Sequence, residues 1–109
     1  MRLSCLSVLA VLGALAATPA LAADSYELVI KDHRFVPDRL EIPANTKVEL
    51  LVKNQDPSPE EFESHDLKRE KVIKGNSEAK VLVGPLQPGE YKFIGEYNEA
   101  TAKGVLVAK

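Results

Sequence analysis

The chain has 109 residues, with 14 Lys+Arg against 16 Asp+Glu and a formal charge of -2. That length supports one small domain with one core, and so mild an acidity argues against nucleic acid as a partner. With Cys5 as its single cysteine, it has no disulfide framework.

Arg2, the apolar run Leu6 to Ala17 and the small-x-small triplet Ala20-Leu21-Ala22 read as a secretory signal over residues 1–22. Thr18 and Pro19 end the run before the about 18 to 20 apolar residues that a membrane span requires. The mature protein is therefore expected to begin at Ala23, in the periplasm, with no transmembrane anchor. Loss of Arg2 leaves 13 Lys+Arg against 16 Asp+Glu, a net charge of -3, and no cysteine.

Tyr26, Leu28 and Ile30 alternate with Glu27, Val29 and Lys31, the period of a half-buried strand that stops at Asp32-His33-Arg34. Phe35, Leu40 and Ile42 continue the apolar thread, but Pro37 confines that stretch to an edge or a bend. Pro43-Ala44-Asn45-Thr46 is a turn with Asn45 suited to a positive φ. Val48, Leu50 and Val52 then form a second alternating strand ending at Asn54. Residues 54–64 carry two prolines and three glutamates and read as a long connection ending near His65. Val72-Ile73, then Ala79-Val81-Val83 closed by Gly84-Pro85, then Tyr91-Phe93 up to Gly95, and finally Val105 to Val107 complete the set. The expectation is an all-β sandwich of about seven strands over 23–109, with Phe35, Phe62, Tyr91 and Phe93 in its core.

Three stretches together resemble the cupredoxin superfamily, and within it the cupredoxin-like domain of the Efe/Ftr (EfeO-type) ferrous-iron uptake group. They are Asp32-His33-Arg34-Phe35-Val36-Pro37 with Leu40 to Thr46, Val52-Lys53-Asn54 through Glu61-Phe62-Glu63-Ser64-His65, and Pro88-Gly89-Glu90-Tyr91-Lys92-Phe93-Ile94-Gly95 with Gly104 to Val107. The resemblance implies a Greek-key sandwich and puts the first histidine ligand of a blue-copper site on His65. It puts the cysteine on Gly95, the second histidine on Asn98 and the methionine within Thr101-Ala102-Lys103. A blue-copper centre takes two imidazoles, a thiolate and a weak axial ligand, so type 1 electron transfer is not expected. The iron-uptake group carries Gly-Glu-aromatic-His where this chain has Gly95-Glu96-Tyr97-Asn98.

In such a sandwich the loop after the first strand, the loop before His65 and the last hairpin meet at one pole, which would gather Asp32, His33, Glu61, Glu63, His65, Glu96 and Asn98. Carboxylates with one or two imidazoles suit Fe²⁺, Mn²⁺, Zn²⁺ or Cu²⁺. Glu60, Glu61, Glu63, Asp66 and Glu70 beside Lys68, Arg69 and Lys71 equally describe a solvated charged loop. The implied function is a metal-binding accessory, for iron or copper, of a ferrous-iron uptake system. Its partner would be a membrane iron permease or a periplasmic iron-binding protein, with ferrous-iron oxidation as the one enzymatic role the resemblance offers. The alternative is a metal-free interaction module whose acidic loop docks a periplasmic or membrane partner.

Overall fold

The computed structural model describes residues 24–109, so the expected signal at 1–22 and Cys5 lie outside the described residues. Nine strands follow one another: β1 Asp24–Lys31, β2 Arg34–Val36, β3 Arg39–Ile42, β4 Val48–Asn54, β5 Glu60–Ser64, β6 Arg69–Ile73, β7 Ser77–Val83, β8 Gly89–Gly95 and β9 Lys103–Ala108. One 3₁₀ turn, Glu96–Asn98, leaves the end of β8. Among the described residues no helix is long and apolar enough to cross a membrane.

The strands form two sheets, β2-β1-β4-β7 and β3-β9-β8-β5-β6. Two parallel pairings, β1 with β4 and β3 with β9, interrupt an otherwise antiparallel arrangement. Alternation explains the packing: inward Leu28, Ile30, Leu50, Val52, Val81 and Val83 from the first sheet meet Phe62, Ile73, Phe93 and Leu106 from the second. Phe93 stands at the centre, edge-on to Phe35 with centroids 4.9 Å apart and stacked on Phe62 at 5.2 Å, geometries that aromatic quadrupoles favour.

The structure departs from the sequence expectation in two places. Among the described residues the count is nine strands rather than about seven: β5 is one addition, and Pro37-Asp38 gives the other by dividing the early apolar thread into two short strands, both at sheet edges as proline requires. More consequentially, residues 60–64 are not loop: they form β5, paired to β6 on one side and to β8 on the other. Its inward side chains are Glu60, Phe62 and Ser64, so the hydrophobic alternation that marks a strand is reduced to one phenylalanine. Hydrogen bonds take the place of apolar burial at the other two, and Ser64 Oγ donates to the Lys92 carbonyl at 2.6 Å.

Candidate functional site

The turn between β1 and β2 has two central residues, Asp32 and His33, both with positive φ, 53° and 57°. Such a hairpin turn ordinarily calls for asparagine, aspartate or glycine, and histidine there needs support. Asp56 supplies it: Oδ1 accepts the Asp32 N–H at 2.8 Å and Oδ2 the His33 N–H at 3.0 Å. Burial pushes the Asp56 carboxyl up, but the His33 and Asp32 N–H groups and the nearby His33 and Lys31 charges outweigh it and hold the group below its usual value of 3.8. Asp56 is itself set by Asn54, whose Oδ1 accepts the Asp56 N–H at 3.0 Å while Nδ2 donates to the Ser58 and Ile73 carbonyls. From the other side Thr101 Oγ1 donates to the His33 carbonyl at 2.6 Å. The three expected loops therefore do meet at one pole.

At that pole the inward end of β5 meets the end of β8. Glu60 is 1 % exposed, and its carboxylate accepts three N–H groups: Oε1 from the Glu61 backbone at 3.0 Å and the Tyr97 backbone at 2.8 Å, Oε2 from Asn98 Nδ2 at 2.8 Å. Gly95 lies against it so closely that a Cβ there would come within 2.7 Å of the Glu60 carboxyl and of the Ala102 Cβ. Asn98 thus points into the protein and spends its amide on Glu60.

The other side chains of the same strand face outward. Donor atoms of Glu61, Glu63 and Glu70 all lie within 4.8 Å of one another, since β5–β6 pairing sets Glu70 directly opposite Glu63. Glu96, first residue of the 3₁₀ turn, follows Gly95, which pairs with Phe62, so it comes alongside Glu61 on the same outer face. His65 completes the group, with Nε2 3.5 Å from Glu63 Oε2, although its own side chain is 91 % exposed. A groove of about 410 Å³ reaches the cluster between Glu63, His65, Lys68, Arg69 and Glu70.

Negative charge is concentrated here and, among the described residues, is not met by a direct ion pair with lysine or arginine. The hydrogen bond with Glu96, then burial and the Glu96 and Glu70 charges, push the Glu63 carboxyl above its usual 4.5, with His65 pulling the other way. Burial, then the Glu70 and Glu96 charges, do the same to Glu61. Among the described residues no lysine or arginine pairs with Glu61, Glu63, Glu70 or Glu96, whereas Glu27, Glu49, Glu41 and Glu90 each pair with one. Arg69, beside the groove, is drawn off by the Leu82 and Lys68 carbonyls. Glu63 is only 9 % exposed, and its Oε1 is a buried polar atom without a hydrogen-bond partner.

The seven residues expected from sequence thus separate into three groups. Glu61, Glu63, His65 and Glu96 come together on the outer face of the second sheet, Asp32 and His33 bind Asp56 through their backbone, and Asn98 binds Glu60. Sequence reasoning did not select Glu70, Glu60 or Asp56. Glu70 becomes visible only once β5 is recognised as a strand with a partner, and Asp56 had a signal in Asn54-Gln55-Asp56-Pro57, an aspartate that caps a turn two residues after an asparagine.

The donor set at the pole does not fit a blue-copper centre. The side chain that reaches Gly95 and Asn98 is Glu60, not His65; among the described residues the pole has no thiolate, its imidazole, that of His33, lies 3.6 Å from Asp56 Oδ2, and the Glu60 carboxylate is already satisfied by three N–H groups.

A family model described as "Cupredoxin-like domain" matches residues 4–108. An uncharacterized protein of Rickettsia prowazekii (strain Madrid E) is 42 % identical over 81 residues, covering 74 % of this chain and 65 % of that protein's length, a little under two thirds. Among solved structures, Auracyanin B superposes with a TM-score of 0.71 at 17 % identity, over 84 % of this chain and 93 % of its own. Auracyanin A, described as a "blue" copper protein from Chloroflexus aurantiacus, gives 0.66 at 16 % identity, over 81 % of this chain and all of its own. At these identities the structures establish the sandwich and nothing about its ligands.

Proposed function

The chain belongs to the cupredoxin-like domain family, and from that premise we propose that it is a cation-binding member whose site has left the pole for the outer face of the second sheet. Glu61, Glu63, Glu70 and Glu96 would supply oxygen ligands and His65 one nitrogen. The observation that carries this reading is the unpartnered, buried Oε1 of Glu63 inside a cluster of carboxylates that, among the described residues, forms no ion pair with a lysine or arginine. A buried polar atom without a partner costs free energy, and a bound cation would satisfy it. Oxygen donors with one imidazole and no sulfur favour Fe²⁺, Mn²⁺, Zn²⁺ or Cu²⁺ over Cu⁺.

The resemblance of residues 32–46, 52–65 and 88–107 to the iron-uptake group, from which Asn98 departs by standing where that group has histidine, supports a finer assignment: a periplasmic accessory that holds iron for a membrane permease or an iron-binding protein. Copper is the alternative cargo, supported by the copper proteins among its structural neighbours. In either case the protein, loaded with Cu²⁺, is expected to lack the intense blue absorption of a thiolate–copper bond. Titration calorimetry with Mn²⁺, Fe²⁺ and Cu²⁺ tests the reading. Binding of one ion per chain, weakened about tenfold or more by His65→Ala, is the expected result. No binding by any of them would leave the interaction-module alternative, in which the unpaired carboxylates meet a basic partner.

A further inference from the structure

Glu60 and Glu61 are neighbours on β5 that face opposite ways, and the 3₁₀ turn Glu96–Asn98 lies across the end of that strand. On the inner side the turn is gripped at two consecutive residues, Tyr97 through its backbone N–H and Asn98 through its side chain, both by Glu60. On the outer side the residue immediately before them, Glu96, follows Gly95, the partner of Phe62, so the β5–β8 register carried one residue further brings it alongside Glu61. The turn has no side-chain cap at its start and no buried residue of its own, so the Glu60 contacts stand in for the packing it lacks. Two backbone hydrogen bonds, Thr101 and Ala102 N–H to the Asn98 carbonyl at 3.1 and 2.8 Å, tie its far end to the chain leading into β9.

We propose that Glu60 is the positioning residue of the outer site: by clamping Tyr97 and Asn98 from inside the sandwich it holds Glu96 over Glu61 and Glu63 as the fourth carboxylate. The proposal rests on the cation-binding reading and adds to it a residue that never touches the ion. It gives the pole's buried carboxylate a function, since Glu60 is fully satisfied by N–H donors and takes no part in binding itself. Supports of this kind, one bond behind a ligand, typically change metal affinity about 10- to 100-fold when removed.

The direction of charge makes the test sharp. Asn98→Asp adds a negative charge close to the cluster, which by electrostatics alone would raise affinity for a cation. It also sets a carboxylate against the Glu60 carboxylate and breaks the clamp, so the positioning role requires the opposite. Mn²⁺ affinity, measured by calorimetry on the full protein, is expected to fall about tenfold in Asn98→Asp and to be no weaker in Asn98→Asp/Glu96→Gln than in Glu96→Gln. The reciprocal exchange Glu60→Gln/Asn98→Asp restores a donor facing an acceptor at unchanged net charge, and is expected to return affinity to within about twofold of wild type. The Tyr97 amide resonance of the metal-free protein reports the clamp independently, shifting in Asn98→Asp and returning in the exchange variant. If Asn98→Asp binds Mn²⁺ as tightly as wild type or tighter while the Tyr97 amide has shifted, Glu60 positions nothing, and the outer site stands without it. If wild type binds no Mn²⁺, both the site and its positioning residue fall.

Discussion

Glu60 and Glu63 stand three residues apart on one short strand and show two fates for a buried carboxylate. The inward one has three N–H donors and no charged partner. The outward one has two other carboxylates and a histidine around it, the charge of Glu96 nearby, and an oxygen bonded to nothing. A carboxylate gathered in by backbone and amide donors organises the chain; one gathered among its own kind destabilises the chain until something positive arrives. Elsewhere on the sandwich the outward glutamates follow a third course, as in Glu27 with Lys53 at 2.9 Å and Glu41 with Lys109 at 3.0 Å, ordinary surface ion pairs of little consequence.

The largest effect bearing on this contrast is expected from Glu60→Ala. It strands the part-buried N–H groups of Glu61 and Tyr97, frees Asn98 and leaves a cavity where a fully buried side chain stood, and should cost about 2 to 4 kcal/mol of stability, read from the urea midpoint. A loss below about 0.5 kcal/mol, the scale of an ordinary surface change, would mean the pole is not organised by Glu60 at all. Next comes Asp56→Ala, which removes the acceptor for two N–H groups in a left-handed turn. A loss of about 1 to 2 kcal/mol is expected, together with changed amide shifts at Asp32 and His33; unchanged shifts would contradict the clasp.

A smaller effect is expected from pH on the metal-free protein. Glu61 and Glu63 have folded-state values raised above 4.5, so above that value the folded state binds more protons than the unfolded chain. Their contribution is fully present below 4.5 and is lost as pH rises through the raised values. Asp56 is shifted the other way, from 3.8 downwards, so its contribution is present above 3.8 and lost as pH falls further. Stability should therefore peak on the acid side of neutrality, at about pH 4 to 5, and a thermal melt series locates the peak. In Glu63→Gln the decline towards neutral pH should flatten; an unchanged profile would show that the outer carboxylates do not repel one another enough to matter.

Much of the sandwich was legible because its strands advertise themselves. Leu28 and Ile30, or Leu50 and Val52, alternate with charge in the way one buried face demands, and Pro37, Asn45 and Gly84-Pro85 mark ends and turns that the structure has in those places. β5 escaped because two of its three inward positions are Glu60 and Ser64, polar residues that burial tolerates only through long-range partners at Tyr97, Asn98 and Lys92. No local pattern carries that information. The site was half legible for the same reason. Glu61, Glu63 and His65 lie within five residues and were visible as a cluster, and Glu96 entered through the family resemblance. Glu70 depended on strand register, and the inward use of Asn98 depended on Glu60, which composition assigns to a solvated loop.

Whether the outer carboxylates are built for a cation is decided by thermal-shift measurement on wild type and Glu63→Gln, with and without Mn²⁺ at neutral pH. Without metal the variant should melt higher than wild type, because it removes a repelled and partly buried charge. With metal the order should reverse, because wild type is stabilised in proportion to the occupancy of its site and the variant is not. A Glu63→Gln protein that melts below wild type without metal, or that gains as much from Mn²⁺ as wild type does, would contradict a cation site at these carboxylates.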